Sequence, residues 1–173
     1  MASEDATGDD ATVRAYDPSR DWQALWERKE RFERELGGGK DDATTVRYEA
    51  KLTDDYRERY RAWVENCVER EPGCVVVATD ADDRVVGYAF VLPEDLSLVW
   101  DAAVLNELYL DEDWRGTGAA DALMDAAVAH ARDQDLPIDR MVLDVDPDND
   151  RASGFYEKRG FEPWAEMVAY DLS

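Results

Sequence analysis

From Val104 the chain reads VLNELYLDEDWRGTGAADALMDAAVAHAR, and the order of residue types in this stretch restricts the fold more than anything else in the sequence. VLNELYL is a β-rich run, and the apolar residues Leu123, Met124, Ala127, Val128 and Ala131 that follow recur at helical spacing. Only a short glycine-bearing segment, with Gly116 and Gly118, separates the two. A strand that hands directly to a helix lays that helix back over its own sheet, which argues against a helical bundle and against a β-sandwich. The connection has chemistry as well. Arg115, Gly116, Thr117, Gly118, Ala119 and Ala120 open the helix, so consecutive backbone N–H groups face outward at its N-terminus, where an anion is favoured. Glycine permits the left-handed backbone of an anion nest and keeps Cβ atoms out of a ligand's way. A strand-to-helix turn with no ligand is the alternative for an isolated match. Neither GxxxxGK[ST] nor GxGxxG is present, so the P-loop and dinucleotide fingerprints are set aside.

The other segments supply the rest of a sheet. TVRAY (12–16) reads as a strand, and DPSRD after it offers helix-start chemistry. Trp22, Leu25, Trp26, Phe32 and Leu36 share a helical face that ends at the glycines 37–39, and Tyr56, Tyr60, Trp63, Val64, Cys67 and Val68 mark a second helix capped by Thr53. CVVVAT and RVVGYAFV across DADD predict a hairpin. After the glycine loop and its helix come a strand MVLDV, a short helix around ASGFYEKRG, and a closing strand pair FEPW and MVAYDL. The pattern predicts an α/β or α+β fold with helices on both faces of the sheet, one domain over 11–173, and a disordered acidic tail over 1–10.

An anion nest in so acidic a chain needs explanation. There are 42 Asp and Glu against 20 Lys and Arg, a formal net charge of −22, which excludes a generic nucleic-acid surface. Oriented amides and one helix dipole suffice for a phosphate whatever the net charge, so the two features are compatible. A surface rich in Asp and poor in Lys resembles that of proteins from salt-in halophiles, where high salt screens self-repulsion. Cys67 and Cys74 fit neither CxxC nor a zinc set, and no segment has the length of a membrane span or the pattern of a secretory signal, so a cytoplasmic protein is expected.

The second half of the pattern identifies a family. Arg115-x-x-Gly118-x-Ala120, then a strand, then Asn149, Ala152 and Phe155-Tyr156-Glu157-Lys158-Arg159-Gly160-Phe161 resemble the GNAT superfamily, the GCN5-related N-acetyltransferases, most specifically from Leu108 to Phe161. The resemblance implies a mixed, mostly antiparallel sheet with a splayed strand pair, acetyl-CoA as co-substrate, and direct acetyl transfer to an amine-bearing acceptor. No metal, nucleic acid or membrane is expected, and a homodimer is left open. It also implies roles. Leu108, Tyr109 and Leu110 offer backbone groups to the pantetheine arm, and Gly116 to Ala120 hold the pyrophosphate with Arg115 opening the motif. Asn149 contacts the cofactor or fixes the splayed strand, and Tyr156 stands near the thioester sulfur. A phenol there can protonate the departing thiolate; a core anchor beside Phe155 is the other reading.

The base is open. The position matched to the usual base holds Asn106, and Glu107 is one residue off, on the opposite face unless a bulge changes the parity. Either Glu107 accepts the proton or Asn106 holds a water that does, and Glu107 also reads as one more solvated acid. Three other features have plainer readings. Asp146, Asp148, Asp150 and Glu157 imitate an EF-hand loop, but Arg151 stands where glycine is required. His130 reads as a boundary residue with no nucleophile to serve, and the aromatic residues from Trp22 to Trp63 read mostly as core. A non-catalytic acyl-CoA-binding module remains the rival to an enzyme.

Overall fold

The computed structural model describes residues 10–38 and 40–172. The tail 1–10 therefore lies outside the described residues except for Asp10, as does Gly39. Five strands form one sheet in chain order: β1 (Thr12–Ala15), β2 (Val75–Thr79), β3 (Val85–Val91), β4 (Ala103–Leu110) and β5 (Met141–Val142). The first three pairings are antiparallel, and β4–β5 is parallel. Around the sheet lie α1 (Trp22–Gly37), α2 (Asp42–Ala50), α3 (Asp54–Arg70), a single turn α4 (Glu94–Ser97), α5 (Ala119–Arg132) and α6 (Asp150–Lys158).

Each face of the sheet has its own core. Under α1 and α3, Trp22, Leu25, Trp26, Tyr60, Val64 and Cys67 pack on Val75, Val77, Tyr88, Phe90 and Tyr109. Under α5, Leu123, Met124 and Ala127 pack on Ala78, Val86, Ala89, Leu105 and Leu110. Period-two alternation in β2 and β3 serves both sides, which makes these strands apolar almost throughout and buries all of β3.

One irregularity decides what β4 presents. Phe90 pairs with Glu107, but the next residue of β3, Val91, pairs with Leu105, so Asn106 is an extra residue in β4. This is a β-bulge. Leu105 joins the core under α5, whereas Glu107 hydrogen-bonds to Tyr60 and Tyr88 in the core under α1 and α3. Simple alternation would have put these two on one face.

β4 and β5 share only the pairs Ala103–Met141 and Val104–Val142, after which they part. The predicted strand MVLDV accordingly forms over two residues, because beyond the bulge it has no partner. The closing pair FEPW and MVAYDL is a correction: 161–172 has no regular structure. Pro163 lacks a donor, and the adjacent Met167 and Val168 break alternation. Trp164, Met167, Val168, Tyr170 and Leu172 are 48–95% exposed. α1 starts directly after DPSRD, with Asp21 at the N-cap position; its side chain makes no capping bond because Arg14 holds it at 2.7 and 3.0 Å. Thr53 does cap α3, accepting from Tyr56 N at 3.2 Å. No apolar stripe in the sequence signals α2, because its nine residues bury none of their side chains.

Candidate active site

The bulge brings a charged cluster against the aromatic core. Glu107 is 4% exposed, so the solvated-acid reading is overturned. Its Oε1 accepts from Lys29 Nζ at 2.6 Å, and its Oε2 accepts from the hydroxyls of Tyr60 at 2.8 Å and Tyr88 at 2.7 Å. Lys29, equally buried, also meets Glu33 Oε1 at 2.6 Å, and Lys51 reaches Glu33 Oε2 at 2.5 Å from the surface. Burial opposes the charge on Lys29, but Glu107 and Glu33 outweigh it and hold the ammonium above the ordinary lysine range. Glu33 shows the mirror effect: burial would raise it, yet Lys29 and Lys51 bring its carboxyl below the usual range. Burial first, and then the charge of Glu107, push Tyr60 and Tyr88 well above an ordinary phenol. Asn106, half-buried at the bulge, lies 3.4 Å from Glu107 Oε1 through Nδ2.

The glycine loop lies at the far end of the same strand. Gly116 and Gly118 take φ of +81° and +90°, and a Cβ on either would meet nothing within 4 Å, so space stands open in front of their backbones. α5 starts immediately afterwards, and Ala122 is the residue whose N–H bonds back to Gly118 O at 3.0 Å; the amides before it are those that a helix start leaves without intrahelical partners. Arg115 folds back on this loop. It donates to Leu110 O at 3.1 Å and to Glu35 of α1 at 2.6 Å, with its guanidinium over the Tyr109 ring. Two clefts flank the loop. One of about 460 Å³ runs between Asp121 of α5 and Arg151, Phe155 and Lys158 of α6, with Arg159 just after that helix. The other, about 440 Å³, lies between Arg31, Arg34 and Glu35 of α1 and Tyr109 and Asp111.

Tyr156 belongs to the same apolar cluster as Leu108, Met141 and Leu143, where β4 and β5 diverge. Its ring packs edge-on against Phe155 and Phe161 at 5.5 and 5.6 Å. Burial, with a smaller contribution from the charge of Asp144, pushes its hydroxyl up to about 12. Asn149 caps α6, accepting from Ala152 N at 3.1 Å. Asp146, first of the alternating acids, pairs with Lys40 at 2.6 Å and accepts from Asp148 N. His130 lies 2.6 Å from Glu71, which also accepts from Gln134 and from Glu94 N, a junction between α5 and the end of α3.

The structure thus brings Asn106, Glu107 and Leu108–Leu110 onto one strand that leads to Arg115–Ala120, with Tyr156 beside the divergence. It also contains partners the sequence reading passed over: Lys29, Glu33, Tyr88, Glu35 and Arg151. A signal for the first two existed. Residues 22, 25, 26, 29 and 33 form one helical stripe, and a Lys and a Glu on an otherwise apolar stripe mark a buried ion pair.

A five-stranded sheet that opens at β4–β5, ends in a glycine loop and starts a helix there defines the class of fold, and comparison with known proteins agrees. The model of the Acetyltransferase (GNAT) family matches residues 20–161, and the chain belongs to that family. A mycothiol acetyltransferase of Nocardiopsis dassonvillei is 29% identical over 142 residues, 76% of this chain and 42% of that protein. An uncharacterised N-acetyltransferase of Mycobacterium tuberculosis is 39% identical over 93 residues, 53% of this chain and 55% of that one. The chain thus spans about half the length of the curated relatives it matches. Among solved structures, Ard1 from Thermoplasma volcanium superposes with a TM-score of 0.60 at 25% identity, covering 90% of this chain and 84% of that one. A GCN5-related N-acetyltransferase from Ralstonia eutropha gives 0.67 at 18% identity, covering 95% and 100%. Among the described residues, no helix is long and apolar enough to cross a membrane.

Proposed function

We propose that residues 11–173 act as one acetyl-CoA-dependent N-acetyltransferase domain that passes the acetyl group directly to an amine within a ternary complex. The observation that carries this reading is the parting of β4 from β5 after Val104 and Val142, with the open Gly116–Gly118 loop at its end. Beyond Val104 the edge of β4 that faces away from β3 has no neighbouring strand, and such an edge has backbone groups to spare. Those of Leu108, Tyr109 and Leu110 suit the amides of a pantetheine arm, and the amides from Gly116 to Ala120 suit a pyrophosphate. Asn149, as the cap of α6, keeps Tyr156 in place.

The chemistry needs one proton removed from the acceptor and one supplied to the thiolate. A hydroxyl near 12 remains protonated at neutral pH, which suits Tyr156 as the donor. On the base side, both oxygens of Glu107 are occupied by three strong donors. This favours the route in which a water on Asn106 takes the proton, while Glu107 fixes the bulge that presents Asn106. Transfer otherwise rests on positioning and on backbone stabilisation of the carbonyl oxygen.

Free coenzyme A release across an amine panel, including the acceptor of mycothiol acetyltransferases, tests the reading. Tyr156→Phe should lower turnover about 10²- to 10⁴-fold with acetyl-CoA affinity retained, and an unchanged rate removes Tyr156 from the chemistry. Asn106→Ala should alter the pH profile on the side where the acceptor loses its proton. Binding of acetyl-CoA without turnover of any amine points to a binding module instead.

We also read the surface, with its net charge of −22, as suited to high salt. Melting temperature should then rise from millimolar to molar potassium chloride as repulsion is screened. A flat response contradicts this.

A further inference from the structure

Glu35, near the C-terminal end of α1, is held between two arginines from distant parts of the chain. Arg115 of the glycine loop donates to its Oε1 at 2.6 Å, and Arg151 of α6 donates to its Oε2 at 3.1 Å. Each arginine borders ligand space. Arg115 adjoins the open backbone of Gly116, and Arg151 lines the cleft of about 460 Å³ together with Lys158 and Arg159. Glu35 itself lines the cleft on the other side of the loop. A carboxylate shared between two guanidinium groups beside an anion nest imitates an oxyanion ligand, because arginine forks bind carboxylate and phosphate in the same geometry.

We propose that Glu35 is a built-in stand-in for a phosphate: Arg115 and Arg151 form an anion subsite for a phosphate group of the cofactor, and Glu35 fills it until the cofactor displaces it. This rests on the acetyl-CoA reading above and adds to it two residues, Glu35 and Arg151, and a competition. Removing the competitor takes from Arg151 the carboxylate that holds it and leaves Arg115 with Leu110 O and, at 3.7 Å, Glu112, so both guanidinium groups can turn to a ligand. Exchange also detaches α1 from α6, since Glu35 is the α1 side chain that Arg151 holds. Binding of the cofactor thereby loosens the end of α1 that leads into α2, a helix with no buried side chains of its own.

The sign of one mutation decides the matter. Calorimetry with free coenzyme A on the full chain should give tighter binding for Glu35→Gln than for wild type, by about two- to tenfold, the scale of one or two exposed ion pairs. The gain should vanish when Arg115→Gln and Arg151→Gln are added. Arg151→Gln alone should weaken binding. If Glu35 merely positions Arg115, its replacement weakens coenzyme A binding, and that result, or an unchanged affinity, overturns the proposal. Wild type that fails to bind coenzyme A overturns the cofactor reading itself, a distinct outcome. A melting curve for Glu35→Gln like that of wild type shows that the comparison is made between folded proteins.

Discussion

The two sides of β4 differ in kind. Under α5 the strand meets Leu123, Met124 and Ala127, an apolar layer with small residues that let the helix sit close. Under α1 and α3 it meets aromatic rings wrapped around two carboxylates and a lysine. The Lys29 ammonium lies 4.8 Å from the Tyr60 ring centre and 5.2 Å from that of Phe32, so its hydration is replaced by carboxylates and π-faces together. The apolar side gains by burying area and tolerates small errors. The charged side is stable only as a complete set, since each member is costly to bury alone.

Breaking the set should therefore have the largest effect. Lys29→Met leaves Glu107 and Glu33 buried without their shared cation and should cost about 3–5 kcal/mol in urea unfolding. Adding Glu107→Gln and Glu33→Gln should recover much of this. A single mutant within about 1.4 kcal/mol of wild type, one tenfold step in the folding constant, would falsify the claim that the cluster is interdependent. On the opposite side, Leu123→Ala should cost about 2–4 kcal/mol, and no second substitution in the charged cluster should restore it, because the two sites share no partner.

The smallest effect is expected where the two sides meet, at Glu71. Burial raises its carboxyl, but hydrogen bonds from Glu94 N, Gln134 and His130 outweigh this and bring it below its ordinary value of 4.5. A lowered folded-state value means that the stabilisation is present above pH 4.5 and is lost as pH falls through the folded value. Glu71→Gln should flatten the stability profile below pH 4.5, with a small loss near neutrality. An acid limb identical to that of wild type would show that other carboxylates govern it.

These differences also explain what could be read in advance. The strand-to-helix handover, the hairpin and the helix α3 depend on local periodicity and caps, and their sequences announce them. The family motifs single out Asn106, Glu107, Arg115–Ala120, Asn149 and Tyr156 as candidates because spacing along the chain is their signature. The stripe of α1 marks Lys29 as buried, but that it meets Glu107, and what Glu35 and Arg151 do, depends on which distant residue arrives beside them, and no local pattern records that. The segment 161–172 shows the opposite failure. Its composition suits a strand, yet a strand requires a neighbour, and β5 ends before providing one.

Asn106 can be regarded as a frameshift written in space instead of in code. One surplus residue transposes the reading of a strand: odd positions before it address α5, and odd positions after it address α1 and α3. Substituting its side chain leaves that transposition intact. Deleting it would make Leu105 and Glu107 consecutive in a regular ladder, each still on its present face. What the surplus residue adds is therefore a place on the strand, held by Asn106, that a regular ladder would not contain.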